Sequence, residues 1–218
     1  MPAIAGAQPY PSSPAQILGP RGLITTPNAR MDPTGTLRAG ISTLDPYLHA
    51  HIGLQLADPL YISLRQSAEI SNLNDDARHL YPGVDIKLRL LPEGPYHPAL
   101  ALGFNSAVGH KRMASEYLVA SKRHNNWDFS AGLGWGRMGS AQTLGNPFGL
   151  LGNHFKKNRP ADGQAPNGPA DWFTGKDMGL FAGVSYDTPW VDGLTLSAEW
   201  GADRYIAERA AFDFNAPA

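Results

Sequence analysis

The sequence predicts an all-β protein, an antiparallel up-and-down β-barrel of the outer-membrane type with about nine to ten strands. Three observations support this fold class. Apolar and polar residues alternate with a period of two along most of the chain, long and short connections alternate between the predicted strands, and aromatic residues collect near strand ends. Charged residues make up 17% of the chain, against roughly 25% in a typical soluble domain.

The alternation is clearest in residues 47–56, 84–91 and 194–201, where every second residue is apolar. Six weaker segments complete the set, and no segment shows the 3.6-residue period of an amphipathic helix. The nine predicted strands are Leu37–Leu44, Tyr47–Leu56, Leu60–Ala68, Val84–Leu91, Ala99–Asn105, Ser115–Arg123, Asp128–Arg137, Asp177–Asp187 and Leu194–Gly201.

The connections between these strands alternate in length. Those predicted at one end of the sheet are longer, at 69–83, 106–114 and 138–176. Outer-membrane barrels have this asymmetry between short periplasmic turns and long extracellular loops. The short turn at Asp45-Pro46 is an exception, because it lies at the end of the sheet where the other connections are long. The connection 138–176 is too long for an inert turn, so we expect an external loop that folds into the mouth of the barrel.

Alternation alone does not tell which face points inward, and a soluble β-sandwich alternates as well. The placement of aromatic residues favours a membrane barrel with an interfacial girdle, with edge aromatics of a soluble protein as the alternative. These aromatics are Tyr47, Tyr61, Trp127, Trp135, Tyr186, Trp190 and Trp200. Glycines on the polar face indicate tightly curved strands, and they are Gly132, Gly134, Gly136, Gly179 and Gly183.

The composition excludes several function classes. The net charge of −1 does not favour nucleic-acid binding, and the absence of cysteine excludes disulfides, thiol nucleophiles and cysteine-ligated zinc. His49 and His51 lie on one strand face without an evident third ligand, so we predict no metal and no cofactor. No catalytic motif occurs, and Asp85 and Glu199 are the candidates for a paired-carboxylate site should the protein act on polysaccharide. We predict that the chain is not an enzyme.

The polar face carries charges of mixed sign, which in a barrel pair across the lumen or line a polar path. The predicted lumen residues are His49, His51, Arg65, Asp85, Lys87, Arg89, Glu199 and Arg204, with Glu116, Lys122 and Arg123 added to the set.

The chain is predicted to have one barrel domain between two tails. Residues 1–20 are rich in proline, residues 21–209 form the barrel, and residues 210–218 form a C-terminal tail. Ala5-Gly6-Ala7 before Gln8 has the small-x-small form of a signal-peptidase site. The first tail is therefore interpreted as a remnant of an export signal, with an ordinary small-residue tail as the alternative.

Several segments, in order, resemble the YjbH family of outer-membrane proteins over about residues 19–209. The most specific are Gly-Leu-Ile-Thr-Thr-Pro-Asn-Ala-Arg-Met at Gly22–Met31 and Ser-Glu-Tyr-Leu-Val-Ala-Ser-Lys-Arg at Ser115–Arg123. The others are Val84–Leu90, Trp127–Phe129, Gly132–Gly136, Asn146–Phe148, Phe181–Trp190, Glu199–Trp200 and Asp203–Tyr205.

The resemblance implies an outer-membrane β-barrel of a Gram-negative bacterium that assists biosynthesis, assembly or export of exopolysaccharide or capsule. It implies no catalytic residues. The implied partners are outer-membrane lipids, other exopolysaccharide-export proteins and the polysaccharide, which the lumen residues would contact. A structural outer-membrane barrel without transport and a soluble carbohydrate-binding β-sandwich are the alternatives.

Two expectations follow from the family motif and from the strand count. Arg30, within the motif, is hypothesised to reach into the lumen as an anchor and polymer-contact residue, with a surface role as the alternative. Family members continue with further strands, whereas this chain ends soon after the ninth. Because single-chain bacterial barrels have even strand numbers and open edges cannot face lipid, we expect either a tenth strand from Arg21–Thr26 or a gap.

Overall fold

The chain folds as one antiparallel sheet, which a computed structural model describes over residues 14–70, 79–159 and 166–211. The strands are β1 Leu37–Leu44, β2 Tyr47–Ala57, β3 Leu60–Glu69, β4 Leu80–Leu91, β5 Ala99–His110, β6 Ser115–His124, β7 Trp127–Gly136, β8 Leu144–Gly145, β9 Pro166–Asn167, β10 Asp177–Asp187 and β11 Thr195–Trp200. The helix α1 follows at Ile206–Ala211. Most of each predicted tail, residues 1–13 and 212–218, lies outside the described residues.

All nine predicted strands are present, and the all-β prediction is confirmed. β4 begins earlier than predicted, at Leu80, and β5 continues to His110. The sequence did not predict β8, β9 or α1, because such short elements hold too few residues to show a period. In the part of the chain that the structure describes, no helix is long and apolar enough to cross a membrane.

The sheet follows chain order from β1 to β7 and then continues with β10 and β11. β8 pairs with β10, and β9 pairs with the end of β5. Among the described residues β1 pairs only with β2 and β11 only with β10, so the sheet is not closed into a barrel. Barrel closure stays a prediction. Residues 21–26 do not add a tenth strand, and the expected gap is observed.

The two edge strands, β1 and β11, run in the same direction. Each strand along the path from β1 to β11 is antiparallel to its neighbour, and the path contains an even number of reversals. A direct pair between β1 and β11 would therefore be parallel, whereas up-and-down barrels consist of antiparallel pairs. Antiparallel closure requires an odd number of additional strands.

The polar face of the sheet is buried and the apolar face is exposed. Gly53, Ser63 and Asp85 form one cross-strand row, and all three are buried. In the adjacent row Ile52 and Leu64 are exposed. The largely exposed outer-face side chains are Leu37, Ile41, Ile52, Leu56, Leu64, Leu90, Val108, Phe129, Leu196 and Trp200. This arrangement is the inverse of a soluble β-sandwich, and the described strands form a single sheet.

Three segments outside the long strands cover the inner face: residues 14–32, 137–141 and 201–205. Each contributes one residue, Ala29, Met138 or Ala202, to a buried apolar cluster on the sheet. The cluster is completed by Ala99, Ala101, Tyr117, Val119 and Phe181. We call residues 14–32 the inner segment.

The long connection between β7 and β10 first turns inward and then lies on the outer face. Trp135 of β7 packs against Phe148, with ring centroids 5.6 Å apart, and Phe104 of β5 packs against Trp172 at 4.4 Å. The expectation of an external loop that folds into the mouth of a barrel stays a prediction, although residue Met138 at the start of the connection packs on the inner face. The predicted asymmetry of connection lengths is also weaker than expected, because the extension of β5 leaves only residues 111–114 before β6.

Gly179 of β10 allows the covering segments to approach the sheet closely. A Cβ atom at this position would lie 2.2 Å from the carbonyl oxygen of Met138 and 2.6 Å from the Cβ of Ala202. Gly132 similarly makes room for the ring of Phe181, whose Cζ would lie 2.3 Å from an added Cβ. These glycines accommodate packing on the inner face.

We expect Gly179→Ala to lower the free energy of unfolding by about 1–3 kcal/mol, because overpacking forces backbone shifts. Denaturant unfolding measures this change. Gly145→Ala is the matched control, since nothing lies within 4 Å of its added Cβ, and its effect is expected to stay within about 0.5 kcal/mol. Equal stability of the two variants would contradict the close approach.

Candidate functional site: a charged inner face covered by residues 14–32

The inner segment lies across the inner face and contacts both open edge strands. Ser42 of β1 donates its hydroxyl hydrogen to the carbonyl oxygen of Ile17 at 2.5 Å. At the other edge, Glu199 of β11 accepts hydrogen bonds from residues 24–26. One continuous segment therefore connects the first and the last strand of the sheet.

Glu199 holds the segment through its carboxylate. The backbone N–H groups of Ile24, Thr25 and Thr26 donate to it at 3.0–3.1 Å. The hydroxyl of Thr25 donates at 2.6 Å, and the hydroxyl of Thr26 also donates. Hydrogen bonds to an ionised acceptor are roughly twice as strong as neutral ones, so this cluster fixes the position of the segment on β11.

Lys87 of β4 holds the same segment from the centre of the sheet. Its fully buried ammonium group donates to the carbonyl oxygens of Arg21 and Arg30 at 3.0 and 2.8 Å. The side-chain oxygen of Asn28 lies 3.5 Å away. Among the described residues, no carboxylate forms an ion pair with this ammonium group. Backbone carbonyls of the segment therefore replace the water that a buried cation loses.

Arg30 extends from the inner segment to Asp128, near the start of β7. Its Nε and Nη2 donate to the two carboxylate oxygens of Asp128 at 2.9 and 2.6 Å. Its Nη1 donates to Glu93 at 2.5 Å, and Glu93 in turn accepts from the backbone N–H of Arg123. The structure thus places Arg30 on the inner face, in a bidentate pair of the strong kind.

Asp32 ends the inner segment between two arginines. It accepts hydrogen bonds from Arg21 at 2.7 Å and from Arg38 of β1. Burial acts to raise the pKa of this carboxyl group, but the hydrogen bond from Arg38 and the charges of both arginines outweigh burial. The pKa of Asp32 is therefore lowered.

Arg65 and Asp85 form a fully buried ion pair between β3 and β4. Two parallel hydrogen bonds of 2.9 Å join them, and both side chains are inaccessible to solvent. Ser67 and Ser106 accept further hydrogen bonds from Arg65 at 2.8 and 2.9 Å. The pair satisfies its own hydrogen-bonding groups without contact with solvent.

The two histidines on β2 have separate environments. The Nδ1 atom of His49 lies 2.7 Å from the hydroxyl of Ser67. The ring of His51 packs against Gly19 and Gly40, where an added Cβ would lie 2.7 Å from the ring in each case. No group of three or more metal-ligating side chains occurs within the described residues. Arg89, near the short-turn end, pairs with Asp58.

Three of the predicted lumen residues lie elsewhere. Glu116 and Lys122 are on the outer face, because they alternate with the inward-facing Tyr117 and Ser121. Glu116 is buried there by the long connection and accepts a hydrogen bond from Arg159 at 2.7 Å. The alternation pattern did not predict the loop that covers Glu116 on the outer face.

Arg204 is the third residue that was misplaced. The prediction extended the alternation past the last strand, whereas β11 ends at Trp200. Arg204 is exposed, and its backbone N–H donates to the hydroxyl of Ser140 at 2.8 Å. It therefore does not belong to the inner face of the sheet.

Comparison with known proteins gives the family. The sequence model of the YjbH family, described as "Exopolysaccharide biosynthesis protein YbjH", matches residues 15–217. The chain belongs to the YjbH family. The "Uncharacterized lipoprotein YjbH" of Escherichia coli (strain K12) is 33% identical over 213 residues, which cover 90% of this chain and 29% of that relative. No solved structure matches. The resemblance stated from the motifs is confirmed.

The structure of this YjbH-family chain joins two of the segments that carry the family resemblance. Arg30 comes from the Thr-Pro-Asn-Ala-Arg motif, and Asp128 comes from the Trp-Asp-Phe segment at the start of β7. Sequence reasoning missed the partners Glu93, Asp128 and Asp32. The sequence offered one indication of the Arg30–Asp128 pair, which is that both residues lie in family motifs. Periodicity could not indicate these partners, because residues in connections follow no repeating pattern.

We expect Arg30→Ala and Asp128→Ala each to lower the free energy of unfolding by about 1.5–3 kcal/mol, because a hydrogen-bonded charge pair is lost. The double variant should show a coupling energy of about 1–3 kcal/mol. Denaturant unfolding of all four proteins measures it. A change within about 0.5 kcal/mol for Arg30→Ala would instead indicate a surface role.

The lowered pKa of Asp32 predicts acid sensitivity. The ionised carboxylate stabilises the folded state fully above the ordinary aspartate value of about 3.9, and this contribution is lost as the pH falls towards the lowered folded value. Asp32→Asn should flatten the decline in unfolding free energy below about pH 4. Asp192→Asn, in an exposed turn, is the control and should retain the decline. Identical profiles for Asp32→Asn and the unchanged chain would contradict the prediction.

Proposed function

We propose that this chain is an outer-membrane component of exopolysaccharide assembly or export in a Gram-negative envelope. Its outer face contacts lipid, and its inner face is covered by the inner segment. The single observation that carries the proposal is the inversion of the sheet, with apolar side chains exposed on the outside and charges buried inside. The family description supports the link to exopolysaccharide, and the relative from Escherichia coli is described as a lipoprotein.

The outer face is too apolar to favour contact with water. Ile41 is 75% exposed and Leu64 60%, although both are central residues of their strands. Large contiguous apolar surfaces on a protein normally contact a membrane or a partner. Strand sequences with apolar residues outward and polar residues inward are typical of outer-membrane barrels.

Aromatic residues cluster on the outer face near the short turns. Trp127 lies 4.4 Å from Tyr186 and 6.1 Å from Phe129, measured between ring centroids. Trp190, in the turn between β10 and β11, lies 6.0 Å from Tyr186 and is 70% exposed. Tryptophan and tyrosine favour the membrane–water interface, so this cluster supports one membrane boundary at the short-turn end.

The covered inner face favours a specific second candidate, a structural outer-membrane protein that transports nothing. The side chains proposed for polymer contact, Arg65, Asp85 and Lys87, are completely or almost completely buried. Contact between the polysaccharide and these groups would therefore require displacement of the inner segment. Whether the segment moves is the question that separates the two candidates.

A disulfide between the segment and the sheet tests this movement. The chain has no cysteine, and a Cβ atom at Gly201 would lie 3.9 Å from the Oγ1 of Thr25. Thr25→Cys/Gly201→Cys therefore brings two thiols close together, and thiol titration measures whether the disulfide forms. The double variant is produced in a strain that lacks the native gene, and outer-membrane fractions and secreted polysaccharide are quantified. We expect outer-membrane localisation and a reduced amount of polymer, restored by a reductant, because the locked segment cannot leave the inner face.

Gly201→Cys alone is a control and should support normal polymer secretion, and the reduced double variant controls for the loss of the hydrogen bond from the Thr25 hydroxyl to Glu199. Normal secretion by the cross-linked protein would favour the structural candidate. A soluble product, with polymer secretion independent of the gene, would contradict both candidates and favour the carbohydrate-binding alternative.

A further inference from the structure

The long connection presents apolar and basic residues together beside the outer face. Residues 147–150 and 153–156 form two short 3-10 turns, which pack through Phe148 and Phe155 with ring centroids 5.6 Å apart. Leu150 is 91% exposed and Leu151 74%. The two most exposed leucines of the described chain therefore lie in one loop, on the side of the sheet that carries the other exposed apolar residues.

Three exposed lysines lie in the same connection as these leucines. The backbone N–H of Gly175 donates to the carbonyl oxygen of Phe155 at 3.0 Å, which brings Lys176 next to Lys156. The aliphatic stem of Lys156 lies about 3.5 Å from the Cβ position of Gly149. Lys157 follows directly, and all three lysines are exposed. We call Leu150, Leu151, Lys156, Lys157 and Lys176 the loop patch.

The lysines of the patch differ from other cations of this connection in their ion pairing within the described residues. No carboxylate forms an ion pair with Lys156, Lys157 or Lys176 among the residues that the structure describes. Other cations of the same region are paired, since Lys111 lies 3.3 Å from Asp171 and Arg159 lies 2.7 Å from Glu116. The three patch lysines are therefore available to an external anion.

The ends of the sheet differ in exposed charge. At the short-turn end the exposed charged residues in the described chain are carboxylates, Asp58 and Asp192. Among the described residues, the opposite end exposes the three patch lysines together with Arg204 and Arg209, against one carboxylate, Asp45. This asymmetry makes one end of the sheet suitable for contact with an anionic surface.

The position of the loop defines what kind of anionic surface it contacts. Phe104 of β5, Glu116 of β6 and Trp135 of β7 contact the connection on the outer face. The patch therefore belongs to a loop on the same side of the sheet as the exposed apolar residues. Exposed leucines favour acyl chains, and lysine stems reach from an apolar layer to charged headgroups.

We propose that the loop patch binds the phosphate headgroups of anionic membrane lipids at the long-connection end of the sheet. The inference rests on the proposed function in one respect, the placement of the outer face against lipid. Leu150 and Leu151 insert among acyl chains, and Lys156, Lys157 and Lys176 pair with phosphate groups. Lipid phosphate at this end also fixes the orientation of the sheet in the membrane.

Vesicle flotation of the full-length chain tests the site. The detergent-purified protein is diluted into vesicles of phosphatidylcholine, or of phosphatidylcholine mixed with phosphatidylglycerol. We expect tighter association with the anionic vesicles and loss of that preference in high salt, because screening weakens exposed charge pairs. Lys156→Gln/Lys157→Gln/Lys176→Gln should reduce the preference at least about tenfold, since each lysine near an anionic surface contributes up to about fivefold.

A control of equal charge change uses the same end of the sheet away from the patch. Arg204→Gln/Arg209→Gln, compared with the patch variant Lys156→Gln/Lys157→Gln of the same charge change, should retain most of the preference for anionic vesicles. Leu150→Ser/Leu151→Ser should weaken association with both vesicle types, because it removes apolar contacts without removing charge.

The outcomes separate the site from the proposed function. Association with both vesicle types without a preference, or a preference that survives the patch substitutions, would overturn the headgroup site and leave the membrane placement standing. Absence of association with either vesicle type would overturn both. An equal loss of preference in the patch and control variants would attribute the effect to net charge and overturn the site.

Discussion

The inner face of the sheet buries ionised groups, and a buried charge is tolerated only when other polar groups replace its water. The strands satisfy part of this requirement themselves, as in the Arg65–Asp85 pair. The inner segment satisfies much of the rest, with backbone carbonyls for Lys87 and backbone N–H groups for Glu199. Removal of the segment would leave both charges without partners, so its position and the structure of the inner face depend on each other.

The same segment accounts for how an open sheet is held together. β1 and β11 do not pair, and their parallel directions exclude a direct antiparallel bond between them. Residues 14–32 contact both edges from the inside through Ser42 and Glu199. The inner segment, which contains the family motif, is thus a structural link between distant strands. Lys87 adds an attachment on β4 and Arg30 one on β7, so the contacts of the segment extend over the whole width of the sheet.

The outer face shows what tertiary structure adds to a sequence pattern. Alternation identified the polar position of Glu116 but assigned it to the lumen. In the structure the long connection lies over it, and Arg159 neutralises its charge. The same connection keeps Trp135 and Phe104 from solvent and places two exposed leucines beside three lysines. A contact between a loop and a strand far apart in sequence follows no period, and for this reason no local pattern predicted it.

The sequence by itself determined the strands and, outside β6, which side chains share a face, because a strand places successive side chains on opposite sides. It also determined the family, through motifs whose order is preserved. Only the tertiary structure decided which face is covered, that the sheet remains open, and which groups Arg30, Lys87 and Glu199 contact. These features depend on where an irregular segment without a repeating pattern comes to lie, and that position is set by the sum of long-range hydrogen bonds and ion pairs.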